Sequence, residues 1–167
     1  MDLLIKNGTI VSGSLEFKAD LGIKNGRIAA IGGGIRAGEE IDASDLYVLP
    51  GAVDVHTHLQ MPFGGTVSAD SYEAGTRAAV CGGVTTVFDY AIQRKGKGII
   101  QTVEERRALA EPGACADIAF HCAITDLGKE GELLNEFAAA ADYGVSSFKC
   151  FMVYKKEGMM IDDGMLM

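Results

Sequence analysis

Basic residues, proline and long apolar runs are all scarce in this chain. Its 167 residues carry 15 Lys+Arg against 23 Asp+Glu, a formal charge of −8, and no basic cluster of note. A nucleic acid or an anionic membrane is therefore disfavoured as a partner, since each requires a cationic face. No segment approaches the ~20 apolar residues of a membrane span. The start, Met1-Asp2-Leu3-Leu4-Ile5-Lys6-Asn7-Gly8, lacks the charged leader and long apolar stretch of a secretory signal. The four cysteines (Cys81, Cys115, Cys122, Cys150) form no CxxC pair and no disulfide framework. They read as reduced, mostly buried thiols of a cytoplasmic protein. What is present, 48% hydrophobic and 23% charged residues with 22 glycines and 3 prolines, is ordinary globular composition. It suits one domain, or one small domain and part of another.

Two grammars follow one another along the chain. Residues 1–50 read as short strands and tight turns. Asn7-Gly8 and Asn25-Gly26 each divide apolar alternations, and Asn-Gly in that setting predicts a hairpin because both residues tolerate positive φ. Gly32-Gly33-Gly34 reads as a turn, without the Lys-Ser/Thr or helix start of a phosphate cradle.

From Leu49-Pro50-Gly51 onward, strand-like runs alternate with helical ones. The predicted strands are 52–59, 84–90, 117–124 and 146–154. The predicted helices are 71–81, capped by Asp70, a second opening on the capping box Thr102-Val103-Glu104-Glu105, and 130–143, closed by Gly144. Asp162-Asp163 reads as the cap of a last helix. Four strand–helix units predict right-handed βαβ crossovers and a parallel sheet.

Chemistry concentrates in Asp54-Val55-His56-Thr57-His58. In a strand, His56 and His58 share a face with Asp54 behind them, and at the C-terminal end of a parallel strand such a pair can grip a metal ion. The alternative is two hydrogen-bonded histidines at a strand end. Lys149 stands in the apolar run Ser146-Ser147-Phe148-Lys149-Cys150-Phe151-Met152-Val153-Tyr154. It either snorkels to water or is neutralised. A neutral amine can add carbon dioxide to form a carbamate, an anion with two oxygens able to bridge divalent metals. His121 reads as a satisfied core histidine, and Asp89 as a hydrogen-bonded residue of either a turn or the site. Met152, Met159, Met160, Met165 and Met167 read as core filler. Ser146 and Ser147 lack a nucleophile elbow.

These residues carry a resemblance. Leu49-Pro50-Gly51-Ala52-Val53-Asp54-Val55-His56-Thr57-His58-Leu59, with Met61-Pro62-Phe63-Gly64-Gly65-Thr66, resembles the dihydropyrimidinase and D-hydantoinase group of cyclic amidohydrolases. The run from Ser146 to Lys155 resembles that group's carboxylated-lysine strand. Pro62-Phe63-Gly64-Gly65-Thr66 differs from the Pro-Gly type sequence usual in dihydroorotases and allantoinases.

The resemblance implies an α/β fold: the first half of a (β/α)8 TIM-like barrel in 51–167, preceded by part of a small β-sandwich in 1–50. It implies two Zn2+ ions, with His56 and His58 as ligands and Lys149, as N6-carboxylysine formed with carbon dioxide, bridging them. Tyr154 becomes the catalytic and substrate-binding tyrosine that stabilises an oxyanion. The substrate is a small cyclic ureide or imide opened to an N-carbamoyl amino acid. Nucleic acid and membrane are not partners, and the full-length family forms homo-oligomers, expected to be tetramers. A complete barrel takes ~250 residues, so the expectation here is four of eight strands, half of a site, and no turnover by this chain alone. The alternative is a truncated, non-catalytic protein that self-associates or pairs with amidohydrolase subunits.

Overall fold

Asn25 and Gly26 both take positive φ (53° and 69°) and turn one antiparallel strand directly into the next. That hairpin belongs to a computed structural model describing residues 1–167, with the Glu130 side chain left aside. The chain divides into two compact units, Met1–Pro50 and Gly51–Met167.

The first unit holds β1 (Leu3–Lys6), β2 (Thr9–Ser12), β3 (Leu15–Lys18), β4 (Leu21–Lys24), β5 (Arg27–Ile31), β6 (Glu39–Asp42) and β7 (Tyr47–Val48). They form two sheets, ordered β5-β4-β1-β6 and β3-β2-β7. Asn7-Gly8 makes no hairpin, contrary to expectation. Asn7 alone takes positive φ, at 64°, and the two-residue turn that returns a strand on itself needs both residues there. The chain instead passes from β1, paired with β4 and β6, to β2, paired with β3 and β7. Gly8 is required by close approach: a Cβ there would lie 2.5 Å from Val48 Cγ2.

The second unit is built on four parallel strands, β8 (Ala52–Asp54), β11 (Val84–Ile92), β12 (Asp117–Ile124) and β13 (Phe148–Cys150), ordered β13-β12-β11-β8. A small hairpin of β9 (Pro62–Phe63) and β10 (Thr66–Val67) follows β8. Helices α1 (Tyr72–Cys81), α2 (Ile99–Ala110), α3 (Glu136–Tyr143) and α4 (Asp163–Leu166) lie in the connections and at the end. The core gathers Tyr72, Ile99, Val103, Phe120, Cys122, Ile124, Leu133, Ala140 and Val145 between strands and helices.

Local chemistry moves several expected boundaries. β8 stops at Asp54 because that carboxylate accepts the His56 N–H at 3.0 Å, an Asx turn that ends the ladder. Ser71, not Asp70, caps α1, its Oγ accepting from the Ala74 N–H at 3.1 Å. The Thr102–Glu105 capping box does not form. α2 already begins at Ile99, whose N–H takes the Glu136 carboxylate at 2.7 Å, while Thr102 Oγ1 donates back to the Gly98 carbonyl. The expected 130–143 helix is instead a 3-10 turn (Lys129–Asn135), with Gly131 inside it at φ 75°, followed by α3, which Gly144 closes at φ 108°. The expected strand 146–154 shortens to β13. Asp162 caps α4 through its side chain.

Two burial expectations fail. Cys122 is buried, but Cys81, Cys115 and Cys150 are exposed free thiols. Met152, Met165 and Met167 are exposed instead of filling a core, since the chain beyond β13 makes only the bridge Phe151–Met160 and a single-turn helix. Among the described residues, no helix is long and apolar enough to cross a membrane.

Candidate active site

Tyr90, near the end of β11, is the hub. The His56 ring lies 4.9 Å from it, the His58 ring 5.0 Å, the His121 ring 4.9 Å, and Lys149 Nζ stands 4.6 Å from the ring centroid. Parallel register puts Tyr90 opposite His121 on β12 and leads on to Lys149 on β13, opposite Ala123. Three strands and the loop after β8 therefore bring these groups to one place.

His56 and His58 occupy coil beyond β8, not the strand expected of them, yet their rings meet edge to face at 5.1 Å. Both are exposed. The exposed His58 ring is still partly desolvated by its neighbours, and this, together with the positive charge of His56, Lys149 and Arg106, lowers its pKa below the ordinary histidine value. Asp89 opposes this only in part. A depressed pKa keeps the His58 imidazole neutral at neutral pH, with a lone pair free for a metal.

Lys149 is half-buried, with Nζ facing the rings of Tyr90 and, at 5.1 Å, Phe151. Tyr154 follows in a turn at φ 66°, a conformation bulky residues seldom adopt outside strained functional loops. Its ring packs edge-on against Phe151 and Phe63, each at 5.4 Å. One aromatic chain thus runs from Phe63 through Tyr154 and Phe151 to Lys149. An open cleft of about 630 Å3 lies alongside, lined among others by Phe63, Tyr90, Gln93 and Arg106.

His121 cannot serve as a ligand in this arrangement, because both its nitrogens are engaged. Nε2 meets the Val55 carbonyl at 2.9 Å and Nδ1 meets Ser147 Oγ.

Beneath the site lies a buried ion pair. Asp89, fully buried, receives Arg106 Nη2 at 2.8 Å and the Tyr72 hydroxyl at 2.5 Å. Burial and that bond to Asp89 push the Tyr72 hydroxyl far above the ordinary tyrosine range, so it stays a donor. Arg106 also donates to the carbonyls of Leu59 and Gln60, holding the residues that follow His58. Tyr90 and Arg106 were absent from the expected site. Alternation along β11 could have placed Tyr90 on the same face as Phe88. The buried stripe of α2, Ile99, Thr102, Val103, Arg106 and Ala110, puts a charge where only a buried partner permits one.

A divalent metal fits the donor chemistry in one way. Among the described residues, no three His, Cys, Asp or Glu side chains gather as a metal cluster. Two imidazoles could hold such an ion together with oxygen donors, and Lys149, beside the same Tyr90 ring, could offer oxygens only as a carbamate.

Comparison with known proteins places the chain in a family. The amidohydrolase family model matches residues 47–155. The D-hydantoinase of Geobacillus stearothermophilus is 43% identical over 169 residues, covering 99% of this chain and 35% of that protein. Dihydropyrimidinase 2 of Caenorhabditis briggsae is 40% identical over 166 residues, covering 98% of this chain and 32% of its own length. A solved D-hydantoinase structure superposes with a TM-score of 0.91 at 40% identity, over 99% of this chain and 36% of that one. The chain spans about a third of the length of the curated relatives it matches. Its four parallel strands are thus the opening part of a β/α barrel, the two-histidine loop and the lysine strand both lie within the matched region, and the chain belongs to the amidohydrolase family.

Proposed function

We propose that the protein carrying these residues hydrolyses the cyclic amide bond of dihydropyrimidine or hydantoin rings to N-carbamoyl amino acids. The observation that carries this is the convergence of His56, His58 and Lys149 on the one ring of Tyr90. Relatives named D-hydantoinase and dihydropyrimidinase support the choice of ring substrate.

Amidohydrolases are in general metal-dependent. In this reading the metals would be two zinc ions, held by His56, His58 and the Lys149 carbamate. Bound there, the metals supply Lewis acidity that makes water nucleophilic near neutral pH and polarises the amide carbonyl. The protein's own groups do the rest. The neutral imidazole of His58 keeps its lone pair for the site. Once the Lys149 ammonium has lost a proton, its amine adds carbon dioxide and releases a second proton, so a cation becomes a carbamate anion and the Lys149 share of the repulsion on His58 is removed. The Tyr154 hydroxyl donates a hydrogen bond to the oxygen on which negative charge develops. Tyr154 is suited to that role because Phe63 and Phe151 hold its ring on either side.

The test is Lys149→Ala in the protein that contains this chain, assayed on dihydrouracil and hydantoin with metal analysis. Loss of both activity and bound zinc is expected; retention of both overturns the reading. The family reading further carries a homo-oligomer, expected to be a tetramer, checked by sedimentation. It also carries a reducing, cytoplasmic setting, which suits the exposed thiols Cys81, Cys115 and Cys150.

One observation favours a second reading, a non-catalytic chain acting through association. The outer strands β8 and β13 are open edges, and Val53, Val55, Met152 and Val153 beside them are exposed. Light scattering separates the two: a metal-free, inactive assembly at micromolar concentration supports association, and a zinc-loaded active enzyme refutes it.

A further inference from the structure

His121 is the one histidine that the hydrolytic reading leaves without a task. It sits in the middle of β12, its ring stacked on Phe88 at 5.1 Å and 29° and tilted against Tyr90 at 4.9 Å. Its two nitrogens reach in opposite directions across the sheet. Nε2 contacts the carbonyl of Val55, the residue immediately before His56, at 2.9 Å. Nδ1 contacts Oγ of Ser147, two residues before Lys149. In strand order, β11 separates β12 from β8, so the contact with Val55 passes over a whole strand.

We propose that His121 is a positioning residue that ties the loop bearing His56 and His58 to the strand bearing Lys149, and so sets the spacing of the two halves of the site. The proposal rests on the metal-dependent reading above.

The contacts dictate a proton arrangement. A carbonyl only accepts, so Nε2 carries the proton and donates it to Val55. Nδ1 meets the Ser147 hydroxyl, which can donate to it or accept from it. Both bonds of the ring are directional. Other ties along these elements do not duplicate it. The Thr57 N–H and hydroxyl both bond the Phe88 carbonyl, which secures the loop to β11 alone. The Cys122 N–H meets the Ser147 carbonyl at 3.3 Å, which secures β12 to the start of β13 alone. His121 joins the two ends through one rigid ring. Groups that orient metal ligands from behind are typically worth about 10- to 100-fold in affinity.

The experiment has two arms, run on the protein that contains this chain. The first needs no metal and no substitution: nitrogen-15 correlation spectra of labelled histidine should show His121 protonated at Nε2. A ring bare at Nε2 cannot donate to the Val55 carbonyl and overturns the proposal. The second arm measures zinc affinity by chelator competition, with thermal unfolding alongside. His121→Phe keeps the aromatic packing and removes both bonds, and zinc affinity should fall by about tenfold or more. His121→Gln keeps a donor toward Val55 and should recover part of that loss. Ser147→Ala should cost less than His121→Phe.

A purely structural histidine would lower the unfolding temperature and leave zinc affinity untouched; that result overturns the proposal while the hydrolase reading stands. If His121→Phe fails to fold, the tautomer and the affinity of His121→Gln decide between the same outcomes. If the unsubstituted protein binds no zinc, the hydrolase reading fails and this inference falls with it.

Discussion

Strands β3 and β6 in Met1–Pro50 bury none of their residues, whereas β11 and β12 in Gly51–Met167 bury four each. The contrast follows from how much apolar surface each unit can enclose. The first unit buries Leu4, Ile10, Leu21 and Ala43, and a chain segment of that size leaves β3 and β6 wholly exposed. It relies on carboxylates at its turns. Asp20 accepts the Asn7 N–H at 2.9 Å, Asp2 accepts the Asn25 N–H at 2.6 Å, and Asp42 takes the Asn7 amide together with the Ser44 N–H and hydroxyl. The second unit has a contiguous core and can hold a carboxylate, Asp89, wholly out of water against Arg106. The same residue type organises both units. In one it is a solvated clip, in the other an ion whose partner must not be lost. Ordered catalytic groups need the second kind of support, and the candidate site sits above it.

The largest expected effect tests that asymmetry. Asp89→Ala leaves the Arg106 guanidinium buried without its counter-ion and the Tyr72 hydroxyl without its acceptor. Removing one member of a buried pair costs about 3–5 kcal/mol, read as a fall in urea midpoint, with loss of amide protection across Val87–Ile92 and Ile99–Ala110. Asp42→Ala, the matching truncation in the first unit, should cost far less. Equal losses would break the comparison. A smaller effect comes from a single cap in the well-packed unit. Ser71→Ala removes the acceptor for the Ala74 N–H and should cost about 1 kcal/mol, measured by thermal unfolding, with Ser71→Asp restoring most of it.

The second unit was the more legible of the two in the sequence, for the same physical reason. Buried strands write themselves as β-branched and apolar runs, so 117–124 matched β12 to the residue and 84–90 fell two residues short of β11. The lysine and the two histidines stood out because polar groups are conspicuous in apolar company. What escaped was set by partners distant in sequence. Glu136 capping α2, Arg106 holding Leu59 and Gln60, and His121 bridging Val55 to Ser147 leave no local periodicity to read. Asp54 ended β8 through a bond to its own neighbour, which competes with the ladder only once the strand exists. In the first unit Asn25-Gly26 was read correctly. Asn7-Gly8 was not, because the choice between a hairpin and a change of sheet depends on where Asp20 and Asp42 stand.

The smallest effect is the most specific to the first unit. Hydrogen bonds from Asn7 and then from the Ser44 hydroxyl and N–H hold the Asp42 carboxyl down at about 2, against an ordinary 3.8. Because the folded value lies below the unfolded one, the unfolded chain binds the extra proton first as pH falls. The contribution of Asp42 to stability is therefore complete above pH 3.8 and drains away as pH drops from there to about 2. Carbon-13 titration of the side-chain carboxyl should give a midpoint near that lower value. Asn7→Gly preserves the left-handed backbone, at φ 64°, while deleting the amide donor, and should move the midpoint upward. Ser44→Ala should move it less, since its N–H still donates. Asp42→Asn should remove this part of the acid sensitivity, and unfolding of the first unit followed between pH 2 and pH 5 would then show a shallower slope in that window. An ordinary midpoint for Asp42 in the unsubstituted protein would mean that its turn is not clipped by the carboxylate. That turn would then owe its order to the Asp20 clip on the Asn7 N–H and to the side chains packed beside it.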